Sequence, residues 1–239
     1  FVIMDVRTPI STCAVVGPVY DAIFQKHTIR TVEDLLWHVP YRYLDATTPL
    51  PIANCLIDTT VVVRGTIQRV RSYVTSRKRV PIVEAIITDE TGEIPLVWFN
   101  QLYMKRVVHS GETYIVIGKI KYDFLLKRKT IASPILITHQ SILPIYHSFG
   151  RLTSTGIRTI VNDILSHIDE TSDPLPETYR HRFELLDLWK SFREIHAPSS
   201  QQMLVKAQQR LALEELIRVS LILRMQRPTH PDAPACTLD

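Results

Sequence analysis

The chain has 239 residues, of which 45% are hydrophobic, 22% charged and 8% aromatic, a balance that excludes collagen-like, low-complexity and disulfide-scaffold proteins. Its formal charge of +4 is unevenly placed: residues 58–140 carry 13 basic against 7 acidic side chains, while the stretches before and after are each at net −1. Such a local excess suits a polyanionic partner, with a merely solvated basic face as the alternative. No apolar run approaches the ~20 residues that cross a bilayer. Cys13, Cys55 and Cys236 are too few and too scattered for a disulfide framework or a zinc site. The opening Phe1-Val-Ile-Met-Asp5 is neither a secretory leader nor an initiator start, so a cytoplasmic fragment of a longer chain is expected.

In chain order, residues 12–45 read as short helices. Gly17-Pro18 opens the first, with Val19, Ile23 and Phe24 expected on its inner face. Thr31 caps the second, with Asp34 in capping-box position, Leu35 and Leu36 inward and Pro40 as its stop. Pro49 and Pro51 mark a linker. From residue 58 the period changes to two. Strands are expected over 59–70, 81–89, 93–99, 113–122 and 130–138, with a turn at Asp89-Glu-Thr-Gly92 and a helix over 100–109 after the third strand.

Three strands, a helix and two strands within ~80 residues is the order of an OB-fold barrel; an SH3-like barrel competes but has no place for that helix. After Pro144 the period is helical. Ile157, Ile160, Val161, Ile164, Leu165 and Ile168 form one stripe, and Leu185, Leu188, Trp189, Phe192 and Ile195 a second. A last helix runs from about Ser200 to Pro228, apolar nearly all round from Leu211 to Met225, and therefore needing cover. The expected class is α+β: a helical segment (1–50), a five-stranded OB barrel (51–140) and a helical connector (141–239).

Catalytic patterns are missing from the sequence. Gly111…Gly118-Lys119 evokes a phosphate-binding loop but has the wrong spacing, Ile120 where Ser or Thr is needed, and Lys119 inside a strand. No nucleophile elbow or His-Glu-x-x-His occurs, and the histidines lack ligand spacing. Binding is better supported. In an OB-fold the loops after the first and fourth strands flank the ligand face. Here Arg69, Arg71, Arg77, Lys78 and Arg79 crowd the first, and Lys119, Lys121, Lys127, Arg128 and Lys129 the second against Asp123 alone. Such side chains track a phosphate backbone, unless they are two solvated turns. Trp98 shares its face with Ile94 and Leu96 and belongs to the core. Phe99 and Tyr103 are left for the rim, to pack or to stack on bases.

Phe99-Asn-Gln-Leu-Tyr103, following Asp89-Glu-Thr-Gly92 and Trp98, resembles the wedge region of the RecG family of bacterial branched-DNA helicases. Val16-Gly-Pro18, Ile29-Arg-Thr-Val-Glu-Asp-Leu-Leu36, Pro40-Tyr-Arg-Tyr-Leu-Asp45, Leu143-Pro-Ile-Tyr146, Ile195-His-Ala-Pro198 and Arg210-Leu-Ala-Leu-Glu-Glu-Leu216 extend the resemblance over residues 12–227. It implies a junction-splitting wedge used in DNA repair and recombination, with Phe99 and Tyr103 stacked at the branch point and the basic loops on phosphates. It also implies a motor, with ATP and magnesium, beyond residue 239; this chain alone, expected to be monomeric, should hydrolyse no ATP and needs no cofactor of its own. Val15 and Val19 replace the glycine and lysine of the family's helix-hairpin-helix-like entry, and Tyr41 replaces an arginine. The alternatives from other classes are a stand-alone single-strand-binding OB protein and a protein-interaction module.

Overall fold

The computed structural model describes residues 5–75, 79–123, 128–139, 141–168 and 173–226. They form two compact units, Leu44–Leu143 and Phe1–Tyr43 with Pro144–Asp239. A two-stranded sheet pairs β1 (Arg42–Asp45) with β8 (Ile142–Ile145), two short strands that the helical reading of these segments missed.

The central unit is a barrel of β2 (Thr60–Val74), β3 (Pro81–Asp89), β4 (Gly92–Phe99), β5 (Thr113–Asp123) and β6 (Arg128–Ala132). The order β2-β3-β4-β6-β5 is closed by β2 pairing with β5, and β4 with β6 is the parallel step. Period-two alternation fills it: Val61, Val63 and Ile67, Val83, Ala85 and Ile87, and Ile94, Leu96 and Trp98 are buried together. The Trp98 Nε1–H finds its acceptor in the Pro134 carbonyl at 3.1 Å. Asp89 ties the hairpin turn by accepting from Thr91 and Gly92 backbone N–H groups at 2.7 and 3.0 Å. The register of β2 against β3 slips between Ile67 and Arg69, a bulge at Gln68.

Two barrel elements differ from the sequence reading. The helix expected over 100–109 is a single 3-10 stretch, Leu102–Arg106, because Asn100 takes a left-handed φ of 56° and breaks the chain after β4. The expected fifth strand is split into β6 and β7 (Ile135–Ile137), because Ser133 has φ 47° and Pro134 offers no N–H to the ladder. β7 pairs instead with β5.

The other unit is helical. α1 (Pro18–Lys26) follows Gly17, and α2 (Val32–Leu36) starts at Thr31 with both halves of the capping box formed. Phe24 is buried but Val19 is exposed: residues five apart sit about 140° round a helix, so the two cannot share a face. α3 (Ser154–His167) buries its expected stripe behind a Thr153 cap. α4 (Glu177–Arg182), which the sequence reading lacked, has no buried residue and hence no apolar period to betray it.

α5 (Leu188–His196) is capped by Asp187 and buries Trp189, Phe192 and Ile195. Leu185, expected to open that stripe, precedes the helix. α6 (Gln201–Gln226) buries Leu204, Ala207 and Leu211, while Leu216, Val219, Leu221, Ile222, Leu223 and Met225 are exposed. The residues beyond Gln226, with Cys236, lie outside the described set.

Arg210 and His196 are polar groups inside this helical core. Arg210 of α6 is fully buried and donates from Nη2 to Asp173 at 2.6 Å and from Nη1 to Glu214. Asp173 also accepts the Leu175 and Leu188 backbone N–H groups, each at 2.8 Å. His196 is fully buried too: Nε2 lies 2.9 Å from the Leu36 carbonyl and Nδ1 2.7 Å from the Tyr146 hydroxyl. Because a carbonyl only accepts, Nε2 carries the proton and Nδ1 accepts from tyrosine.

Candidate nucleic-acid interface

With Val83, Ala85 and Ile87 turned into the barrel, the residues between them face out. Cross-strand pairing then sorts the outer face into rows. Arg69 lies opposite Ile86, Arg71 opposite Glu84 and Tyr73 opposite Ile82. Continuing onto β4, Ile86 meets Pro95, Glu84 meets Val97 and Ile82 meets Phe99. Tyr73, Ile82 and Phe99 thus form one row across three strands, with the arginines in the rows beside it. The bulge makes this possible: by unbroken alternation from Ile67, Arg69, Arg71 and Tyr73 would have pointed inward.

Glu84 organises the face. Its Oε2 accepts from Arg71 Nη2 at 2.8 Å and Nε at 3.1 Å, and its Oε1 from Arg128 Nη2 at 2.8 Å. The Tyr73 hydroxyl lies 3.5 Å from the same carboxylate, and the Arg71 guanidinium stands 5.7 Å over the Tyr73 ring. Burial pushes the Glu84 carboxyl up, but hydrogen bonds and charge from the two arginines outweigh it and hold the group below its ordinary range. The hydrogen bond to Glu84, and then its charge, raise Arg71 in turn.

The expected site residues are placed differently from one another. Phe99 and Tyr103 are 46% and 62% exposed, so they stand on the rim as expected, with Tyr103 donating its hydroxyl proton to Gln101 Oε1 at 3.1 Å. Arg71 and Arg128, assigned to separate loops from sequence, meet at one carboxylate. Arg69 and Arg79 are exposed, with no ion pair among the described residues. Lys129 is half-buried and donates to the Cys55 carbonyl at 2.8 Å, and Lys119 pairs with Asp58 at 3.2 Å, so both are partly engaged at home. Arg77, Lys78 and Lys127 lie outside the described residues.

Glu84, Tyr73 and Ile82 were missed. The signal was available in principle: a lone acid between Val83 and Ala85 in a strand must face away from the core, though its partners depend on register. Among the described residues no cluster of three or more His, Cys, Asp or Glu side chains could hold a metal ion, and no helix is long and apolar enough to cross a membrane.

A closed five-stranded barrel in this order, with a short helix after its third strand, is an OB-fold. A family model described as the RecG wedge domain matches residues 9–168, and the chain belongs to that family. Two relatives, each an ATP-dependent DNA helicase RecG, come from Synechocystis sp. and Thermotoga maritima. They are 26% and 27% identical, matching 91% and 97% of this chain but 29% and 31% of their own lengths. The solved structure of RecG bound to a three-way DNA junction aligns with a TM-score of 0.79 at 26% identity, over 94% of this chain and 32% of that one. The chain therefore spans about a third of the length of these relatives.

Proposed function

We propose that the chain is the branched-DNA-binding wedge of a RecG-type, ATP-driven helicase acting in DNA repair and recombination. In this reading its outer barrel face engages a fork or junction, and Phe99 and Tyr103 stack on bases where the strands part. Arg69, Arg71, Arg79, Arg128 and Lys129 hold phosphates, and the sequence extends that group to Arg77, Lys78 and Lys127. The carrying observation is that both rings stand exposed, Phe99 in the row beside Arg71, on a barrel whose aligned relative was solved on a three-way junction. Stacking is worth ~1–3 kcal/mol per base whatever its identity, so rings at a branch select for unpaired bases while the arginines serve any DNA.

The test is Phe99→Ala with Tyr103→Ala, titrated on a three-way junction and on a matched linear duplex beside a thermal melt. Because the rings are about half exposed or more, the melt should move far less than the ~3–5 kcal/mol of a buried phenylalanine would dictate. Junction affinity should fall at least tenfold and duplex affinity much less. Equal losses on the two DNAs would refute branch recognition. Tighter binding to single strands than to junctions by the unaltered chain would favour a plain single-strand binder.

A further inference from the structure

The arrangement at Glu84 does more than neutralise charge. Its side chain is 3% exposed, whereas those of Arg71 and Arg128 are 49% and 33% exposed. The carboxylate lies beneath and the two guanidiniums lie toward solvent, one from β2 and the other from the start of β6. Each guanidinium has five N–H donors in a rigid plane. Arg71 uses Nε and Nη2 on Glu84, and Arg128 uses Nη2, so among the described residues Nη1 of each has no hydrogen-bond acceptor. Arg128 Nε is buried and has no hydrogen-bond partner among the described residues. Donors are therefore in surplus over acceptors at a point of net positive charge.

Stability alone explains this poorly. The neighbours of Glu84 on the outer face of β3 are Ile82 and Ile86, and a buried carboxylate, even when paired, is generally no more stabilising than an apolar side chain of similar size. A leucine among those isoleucines would serve the barrel as well. What an apolar residue could not do is fix two arginines from distant parts of the chain in one orientation.

Resting on the DNA-binding reading above, we propose that Glu84 is a positioning residue that locks Arg71 and Arg128 into a single clamp for one phosphodiester of the DNA backbone. The free edges of the two guanidiniums grip the phosphate oxygens, and Glu84 itself never touches DNA. Each cation gives up rotamer freedom on folding rather than on binding, which is the gain from preorganisation.

Charge and geometry make opposite forecasts for Glu84→Gln. The substitution adds one positive charge. If Glu84 only held the arginines back, the variant should bind a labelled three-way junction more tightly, with a log K against log [salt] slope steeper by up to ~1. The clamp requires weaker binding, by roughly tenfold, with a slope no steeper than that of the unaltered chain. Arg71→Lys keeps the charge but loses the planar fork, and should also weaken binding by about five- to tenfold.

Glu84→Gln that melts normally and binds as tightly or more tightly overturns the clamp. So does Arg71→Lys at full affinity, whatever Glu84→Gln does; if Glu84→Gln fails to fold, Arg71→Lys decides alone. Failure of the unaltered chain to bind the junction would be a different result, overturning the DNA-binding reading together with the clamp built on it.

Discussion

Replacing His196 with glutamine keeps a donor for the Leu36 carbonyl and an acceptor for the Tyr146 hydroxyl, but removes the group of that buried chain of hydrogen bonds that titrates on the acid side of neutrality. Burial lowers the His196 pKa to about 4, the Leu36 hydrogen bond raises it a little and the charge of His38 lowers it again. The unfolded value is about 6.5. Between those limits the unfolded chain binds a proton that the fold refuses, so the stabilisation is present above pH 6.5 and drains away as pH falls toward 4. Worked through, the loss is about 2 kcal/mol between pH 7 and 5, and about 3 kcal/mol once pH is below both values.

Urea midpoints followed by tryptophan fluorescence, with Trp37 and Trp189 reporting from the same unit, should shift accordingly for the unaltered chain. In His196→Gln the shift over pH 7 to 5 should shrink by about 2 kcal/mol. His38, held low by burial and then by His147 and His27, titrates in both proteins, so their difference isolates His196. Identical pH profiles for the two would refute the reasoning and show that His196 takes up its proton within the fold at no cost.

Two further perturbations probe the packing of the barrel and of the helical unit in turn. Gly65→Ala would place a Cβ 2.6 Å from the Thr88 carbonyl oxygen and 2.8 Å from Ile87 Cγ1; since the first is backbone, the barrel should lose upward of ~2 kcal/mol in a thermal melt, and an unshifted melt would mean that β2 and β3 can part freely. Asp173→Ala strands the buried Arg210 with Glu214 alone and exposes two backbone donors, so denaturant titration should show a loss of ~3 kcal/mol; a loss under ~1 kcal/mol would mean that water replaces the carboxylate.

The barrel was legible because β-branched residues at alternating positions announce strands without help from the rest of the chain. Val61 and Val63, Ile94 and Leu96, and the tight turn at Asp89–Gly92 are local signals. Trp98 inward and Phe99 outward followed from the same alternation. What stayed hidden depends on pairing. Nothing local says that Arg71 and Arg128 share Glu84, since that needs the register of β2 on β3 and the reach of a side chain from the start of β6. The left-handed turn at Ser133 was equally silent, whereas that at Asn100 fell on a residue type that often takes this conformation. The arginines of these segments looked alike in sequence, yet Arg71 and Arg128 are bound to a carboxylate while Arg69 and Arg79 have no ion pair among the described residues.

The bulge at Gln68 gives β2 two halves of opposite phase, the first paired with β5 through residues 60–66 and the second with β3 through residues 66–74. Chain length at this spot therefore acts asymmetrically. Deleting Gln68 would merge the halves into one continuous ribbon with every later side chain still on its present side. Adding a residue between Val70 and Arg71 would turn Arg71 and Tyr73 over and leave Glu84 facing the wrong neighbour. The bulge is thus a spacer that can be lost without turning this column of side chains over, whereas an insertion beyond it reverses them all.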